Sequence, residues 1–139
     1  MAKRRLSDAE YRLLFDFRSR LLRFLRASDV RIREAGLTPS QYLLLLGVRA
    51  SIDTRGPTVG DMAEFLVLRH HSVVALVDRV SAAGLIRRTT DADDGRVVRL
   101  SLTAEGARRL ERVASVNFGE LEGLELLRKG LQEADGPPD

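Results

Sequence analysis

The spacing of apolar positions changes several times along the chain, and each change marks an element. From Asp8 to Ala35 there is neither proline nor glycine, and Leu14, Phe17, Leu21, Phe24 and Leu25 recur at helical spacing. Ser7 and Glu10 fit a capping box at the start of this helix, and Gly36 ends it. A helix of about 28 residues is roughly 42 Å long, and Leu13, Phe15 and Leu22 lie off its main stripe. Two readings stand: part of this surface packs on a second subunit, or all of it covers its own core.

Leu37-Thr38-Pro39-Ser40-Gln41 opens the next helix with agreeing signals. Thr38 caps, Pro39 takes the first helical position, Gln41 completes the capping box, and Leu37 and Tyr42 have the spacing of a hydrophobic staple. Tyr42 to Val48 is a core run, and Ser51 to Pro57 a loop. Thr58 then caps a short helix, with Asp61 three residues on and Met62, Phe65 and Leu66 facing inward. Val67 to His70, without glycine, turns into a helix whose apolar face is Val73, Leu76, Val77 and Val80. Two short helices joined by a tight turn make a helix-turn-helix.

Gly84 stops that helix. Leu85 to Thr90 reads as a strand, Asp91 to Gly95 as a polar turn, and the return segment alternates, Val98, Leu100 and Leu102 against Val97, Arg99 and Ser101. Thr103 caps a last helix with Glu105 in its first turn and one face through Leu110, Ala114, Phe118, Leu121 and Leu124. Gly119 and Gly123 each cost about 1 kcal/mol in a helix interior, so a kink or break is expected there. Gly136 to Asp139 reads as a frayed tail. The expected fold is mainly α with a small β-hairpin wing.

This order suits DNA, because a helix fits the major groove and a hairpin beside it pushes an arginine toward the backbone or minor groove. The run GLIRRTTDADDGRVVRLSLTAEG resembles the wing and following helix of the MarR family of winged-helix bacterial regulators. The residues that carry it are Gly84-Leu85, Arg88, the Asp94-Gly95-Arg96 tip and Leu102-Thr103-Ala104-Glu105-Gly106, with Leu37-Thr38, Gln41 and Leu76-Val77-Asp78-Arg79 upstream. The resemblance covers Leu14 to Arg112 and implies a single domain over 1–139. A winged helix-turn-helix DNA lobe spans 37–102, with N- and C-terminal dimerisation helices at 8–35 and 104–133. It further implies a homodimer on double-stranded DNA at a pseudo-palindromic operator, acting as a repressor. Release by a small aromatic or phenolic ligand, bound between the dimerisation helices and the DNA lobe, is the implied control. Phe17, Phe24 and Tyr42 either line such a cleft or are plain core.

Candidate recognition-helix residues are Arg69, His70, His71, Ser72, Val74, Ala75 and Arg79. His70, His71 and Ser72 sit at the helix entry, where docked helices present side chains to base edges and exposed N–H groups favour phosphate. Val74 and Ala75 lie away from the buried face; they contact thymine methyls or leave the helix weakly base-specific. Arg79 meets a phosphate or makes an internal salt bridge. In the wing, the resemblance sends Arg96 into the minor groove with Asp94 holding it by a charge-assisted hydrogen bond; the alternative is a solvated turn charge. Arg87, Arg88 and Arg96 are available to balance Asp91, Asp93 and Asp94, and Arg87 and Arg88 are assigned to wing support.

Composition adds a few bounds. The 139 residues suffice for one domain with a real core. A formal net charge of +3 does not by itself argue for nucleic acid. Twenty-three basic residues include only two lysines, Lys3 and Lys129; arginine is the better bidentate phosphate ligand, although a base-composition bias produces the same excess. The absence of cysteine excludes a thiol switch within the chain and fits a reducing cytoplasm. No apolar run reaches membrane-spanning length, and the N-terminus lacks the apolar segment of a signal peptide. Two adjacent histidines without a third or a cysteine make a poor zinc site, and no cofactor is implied. No nucleophile elbow, phosphate loop or triad suggests an enzyme. The rival readings are a winged helix used as a protein-interaction module, and a DNA binder without an effector.

Overall fold

The computed structural model describes residues 4–134, with side chains described through Gly123 and at Lys129. Leu124 and the Gly136–Asp139 tail of the sequence reading lie outside the described side chains and residues respectively. The elements are α1 (Asp8–Glu34), α2 (Pro39–Ala50), α3 (Val59–Leu66), α4 (His70–Ala82), β1 (Ile86–Thr90), β2 (Val98–Leu102) and α5 (Ala104–Ala134).

The helix starts follow from local chemistry. Ser7, Thr38 and Thr58 each accept the backbone N–H three residues on, and Glu10, Gln41 and Asp61 each return a bond to the cap backbone. Each reciprocal pair satisfies donors that a helix start leaves open. Thr103 accepts the Gly106 N–H at 3.0 Å and donates to the Gly84 carbonyl at 2.6 Å, so one hydroxyl ties the start of α5 to the end of α4. Gly36 and Gly84 both adopt φ 75°, where glycine carries no Cβ penalty. The α3–α4 turn uses Val67 instead, at φ 55° and ψ 43°, a β-branched residue in the left-handed region.

One core joins the elements. Ile32, Leu44, Leu45, Val73, Val77, Val80, Leu85, Leu100 and Val113 are all buried in it. Strands β1 and β2 pair antiparallel, with Ile86 opposite Leu102 and Arg88 opposite Leu100. A third rung comes from the loop before α3: Thr58 bridges Arg99, and the Leu100 N–H donates to the Pro57 carbonyl at 2.9 Å. Gly56 permits this approach, since it sits at φ 91° and a Cβ there would lie 2.3 Å from the Leu100 carbonyl oxygen. Sequence spacing had placed that segment in a plain loop.

Helix α5 runs through Gly119 and Gly123 without the break the sequence allowed. Its buried face is Leu110, Val113 and Asn117; Phe118 and Leu121 are exposed. Asn117 donates to Ser28 Oγ at 2.8 Å and to the Tyr42 hydroxyl at 3.2 Å, and accepts from Arg31 Nε at 3.0 Å and Nη2 at 2.8 Å. Arg31 then reaches Glu120 at 2.9 Å. Phe65, expected to face inward, is 56% exposed, with one ring edge against the Gly47 backbone. Phe17 is not core either: it is 58% exposed, and Leu14, Phe15, Leu22 and Leu25 are exposed with it. The reading in which α1 buries all its apolar surface against its own chain therefore fails.

Two substitutions test these contacts by thermal or urea unfolding. A Cβ at Gly106 would lie 2.0 Å from the Leu85 carbonyl oxygen, so Gly106→Ala is expected to cost about 1–3 kcal/mol, the range for forced overpacking. Val67→Asn is expected to raise stability by up to about 1 kcal/mol, since a non-glycine residue in the left-handed region costs roughly 1–2 kcal/mol and asparagine tolerates it best.

Candidate nucleic-acid interface

Helix α4 presents two faces of different chemistry. Val73, Leu76, Val77 and Val80 are buried, while His70, His71, Val74, Ala75, Asp78 and Arg79 are exposed and Ser72 is half-buried. Arg69 occupies the cap position in extended conformation and makes no side-chain cap bond. The first turn of α4 is therefore left without the side-chain acceptor that the other helix starts carry, and its positive end is open to an anion.

The wing reaches the same place. Thr58, Val59, Gly60, His70, Arg96, Val97 and Val98 line a groove of about 260 Å³ where the starts of α3 and α4 meet the hairpin. His70 and Arg96, assigned separately from sequence, thus share one concavity. The Arg96 side chain is 91% exposed. Asp94 holds its base: Oδ1 accepts the Arg96 backbone N–H at 3.0 Å and Nε–H at 3.2 Å, and Oδ2 accepts Nη2–H at 3.4 Å. These bonds hold the Asp94 carboxyl below its ordinary pKa.

What holds the wing itself is Arg99, which the alternation of β2 sets on the face opposite Val98, Leu100 and Leu102. Its side chain is only 12% exposed. Nε donates to Asp91 Oδ1 at 3.0 Å, and Nη1 donates to Asp53 Oδ2 at 3.2 Å and to the Gly56 carbonyl at 3.0 Å. Asp91, only 8% exposed, also accepts the backbone N–H groups of Asp93 and Asp94 at 3.2 and 3.1 Å. One carboxylate therefore shapes the turn and ties it to the guanidinium. The expectation that Arg87, Arg88 or Arg96 balances Asp91 is corrected: Arg99 does. The faint sequence signal was an arginine inside a short strand, close to an acidic turn; its contacts with the 53–56 loop had no signal at all.

Arg88 has a supporting contact of a different kind, an ion pair with Asp78 at 2.5 Å that links β1 to α4. Arg87 is exposed and has no ion pair among the described residues, so its assigned support role has no counterpart in the fold. Arg79 likewise has none among the described residues, and the salt-bridge alternative finds no partner. Among the described residues no group of three or more metal-ligating side chains forms around His70 and His71. No helix is long and apolar enough to cross a membrane among those residues.

A second groove, of about 700 Å³, lies between α2 and α5, lined by Leu46, Arg49, Leu102, Leu110, Glu111 and Phe118 among others. Phe17, Phe24 and Tyr42 do not line it; Tyr42 is buried and hydrogen-bonded to Asn117.

The helix-turn-helix, the paired strands and the long flanking helices define a winged-helix protein with a helical stem. Residues 35–97 match the model of the MarR family. It is 35% identical over 83 residues to the HTH-type transcriptional repressor MdtR of Bacillus subtilis (strain 168), a match covering 59% of this chain and 51% of that protein. The chain thus spans about half the length of this curated relative. Among solved structures, the Staphylococcus aureus MepR–DNA complex is 26% identical at a TM-score of 0.64, covering 88% of this chain and 95% of that one. MepR of the same organism, a transcription regulator of the multidrug efflux pump MepA, superposes at a TM-score of 0.74 with 22% identity, covering 86% and 93%. The helical stem and wing of this chain follow the fold of those regulators.

The acidic partners of the wing predict its pH response. Asp53 is lowered from 3.8 to about 2, first by its hydrogen bonds with Arg55 and only lastly by the charge of Arg99. Asp91 is lowered chiefly by the bond from Arg99. A depressed carboxylate stabilises the fold fully above its unfolded pKa and loses that contribution as pH falls through the folded value, so the Asp53 part is lost between about pH 4 and pH 2. Arg99→Gln is expected to raise the Asp91 pKa clearly toward 3.8 and to move Asp53 far less, as read by carboxyl-carbon NMR titration. Equal movement of both would contradict the bonding described.

Proposed function

We propose that this chain is a sequence-specific DNA-binding transcription regulator that acts as a homodimeric repressor. The observation that carries the reading is Arg96, held at its base by Asp94 and almost fully exposed at the wing tip, sharing a groove with His70 at the open start of α4. The start of a docked helix meets base edges and phosphates, and a wing arginine suits the negative potential of a narrow minor groove. In this reading Arg69, His70, His71, Ser72, Val74, Ala75 and Arg79 face the major groove or its phosphates, and Asp94 positions Arg96.

The exposed apolar residues of α1, with Val116, Phe118 and Leu121 of α5, support a second copy as the partner of the stem. An isologous dimer places two α4 helices on a pseudo-palindrome, about one helical turn apart. The groove between α2 and α5 supports control by a small aromatic anion: its walls are largely apolar and Arg49 offers a cation to a carboxylate or phenolate. DNA binding by MepR, and repression by MdtR, are properties of those proteins that point the same way.

Fluorescence anisotropy against the DNA upstream of the gene, with scrambled DNA as control and a salt series, tests the reading. Expected are tight binding to the upstream DNA, weaker binding to the control and a steep loss with salt from counterion release. Arg96→Ala is expected to weaken binding at least tenfold with an unchanged circular dichroism spectrum; unchanged affinity would remove the wing from the interface. Absence of binding to any duplex at low salt would favour a protein-interaction module.

A further inference from the structure

The exposed face of α4 is chemically uneven. His71, Val74, Ala75 and Asp78 stand at positions i, i+3, i+4 and i+7, so they share one face. At its start the face offers imidazole donors and acceptors. Toward its end, Asp78 is engaged by Arg88 at 2.5 Å, and Arg79 offers only donors. Between them stands a turn with no polar side-chain atom: Val74, 38% exposed, and Ala75, exposed beside it. Neither contributes to the buried face, which Val73, Leu76, Val77 and Val80 already fill.

Such a turn cannot hydrogen-bond to a base. In the major groove, the only apolar group that any ordinary base pair presents is the C5 methyl of thymine. We infer that the central turn of α4 selects thymine by methyl contact, with Val74 as the principal reader and Ala75 beside it. The inference rests on the proposed DNA binding and names what that site recognises. It places the hydrogen-bonded readout in the first turn of α4 and gives the middle of each half-site a preference for thymine that arises from apolar burial. A polar base edge set against Val74 would lose its water without gaining a partner, so the turn also discriminates against guanine and cytosine edges.

The experiment begins with selection of binding duplexes from a randomised pool by the full chain. The best duplex is then remade with deoxyuridine in place of each thymine, singly and together. Deoxyuridine keeps every hydrogen-bonding group and removes only the methyl. Wild type and Val74→Ala are titrated against both series, and thermal unfolding checks that the variant is folded. A buried methyl contributes enough for about a fourfold change in affinity. The expected result is that loss of one or two half-site methyls weakens wild type about fourfold each, while Val74→Ala shows a much smaller penalty at the same positions. DNA shape effects are common to both proteins and cancel in this cycle. Enrichment of a specific duplex bound equally with thymine and with deoxyuridine would overturn the methyl reading and leave the DNA-binding reading standing. A methyl penalty of the same size in Val74→Ala would overturn the role given to Val74. Failure to enrich any duplex would overturn both.

Discussion

The guanidinium of Arg99 is the point on which the wing depends. It gathers two carboxylates and a carbonyl from parts of the chain far apart in sequence: Asp91 in the hairpin turn, Asp53 and Gly56 in the loop before α3. Each partner is itself committed. Asp91 organises the turn that places Asp94, Asp94 holds Arg96, and Asp53 is tied to Arg55. A charge removed from water costs several kcal/mol unless its hydrogen-bonding capacity is met, and here Nε and Nη1 are both engaged. Uncoupling Arg99 would leave Asp91 and Asp53 facing each other across the hairpin root. Arg96 is thus linked through Asp94 and Asp91 to Arg99, a residue that does not line the groove beside His70.

Asn117 has a comparable place in the stem. Its amide satisfies Ser28 and Tyr42 as donor and Arg31 as acceptor, so one side chain on α5 registers α1 and α2 against it. Arg31 also reaches Glu120 of α5 beside it. A shift of one helical position leaves buried polar atoms unmatched. The two nodes divide the labour: Arg99 ties the hairpin to the loop before α3, and Asn117 ties α5 to α1 and α2.

Local chemistry made most of the element starts legible. Three capping boxes, the Gly36 and Gly84 stops and the buried face of α4 are all set within a few residues and follow from sequence spacing. The exposed candidates of α4 and the Asp94–Arg96 pair were legible for the same reason. Contacts that join distant segments were not. Arg99 meets partners 43 and 46 residues away, and Asn117 meets Arg31 across 86; alternation along a strand cannot distinguish a solvated arginine from a buried one. Phe65, Phe118 and the aromatic residues of α1 show the converse: apolar identity said that they belong on a face without saying which body that face meets. The left-handed turn at Val67 was hidden because the residue type argues against the conformation.

The joint between α4 and α5 has a mechanical consequence. The Thr103 hydroxyl bonds to the Gly84 carbonyl just past the end of one helix and to the first turn of the other. The Thr103 N–H donates to the Leu85 carbonyl at 3.1 Å, and the bare Cα of Gly106 is pressed against that same oxygen. No side chain stands between them to act as a cushion. The start of α5 is thus pinned by main-chain contacts to the Gly84–Leu85 segment that links α4 to β1, so the seat of the hairpin and the start of the long helix cannot be moved independently.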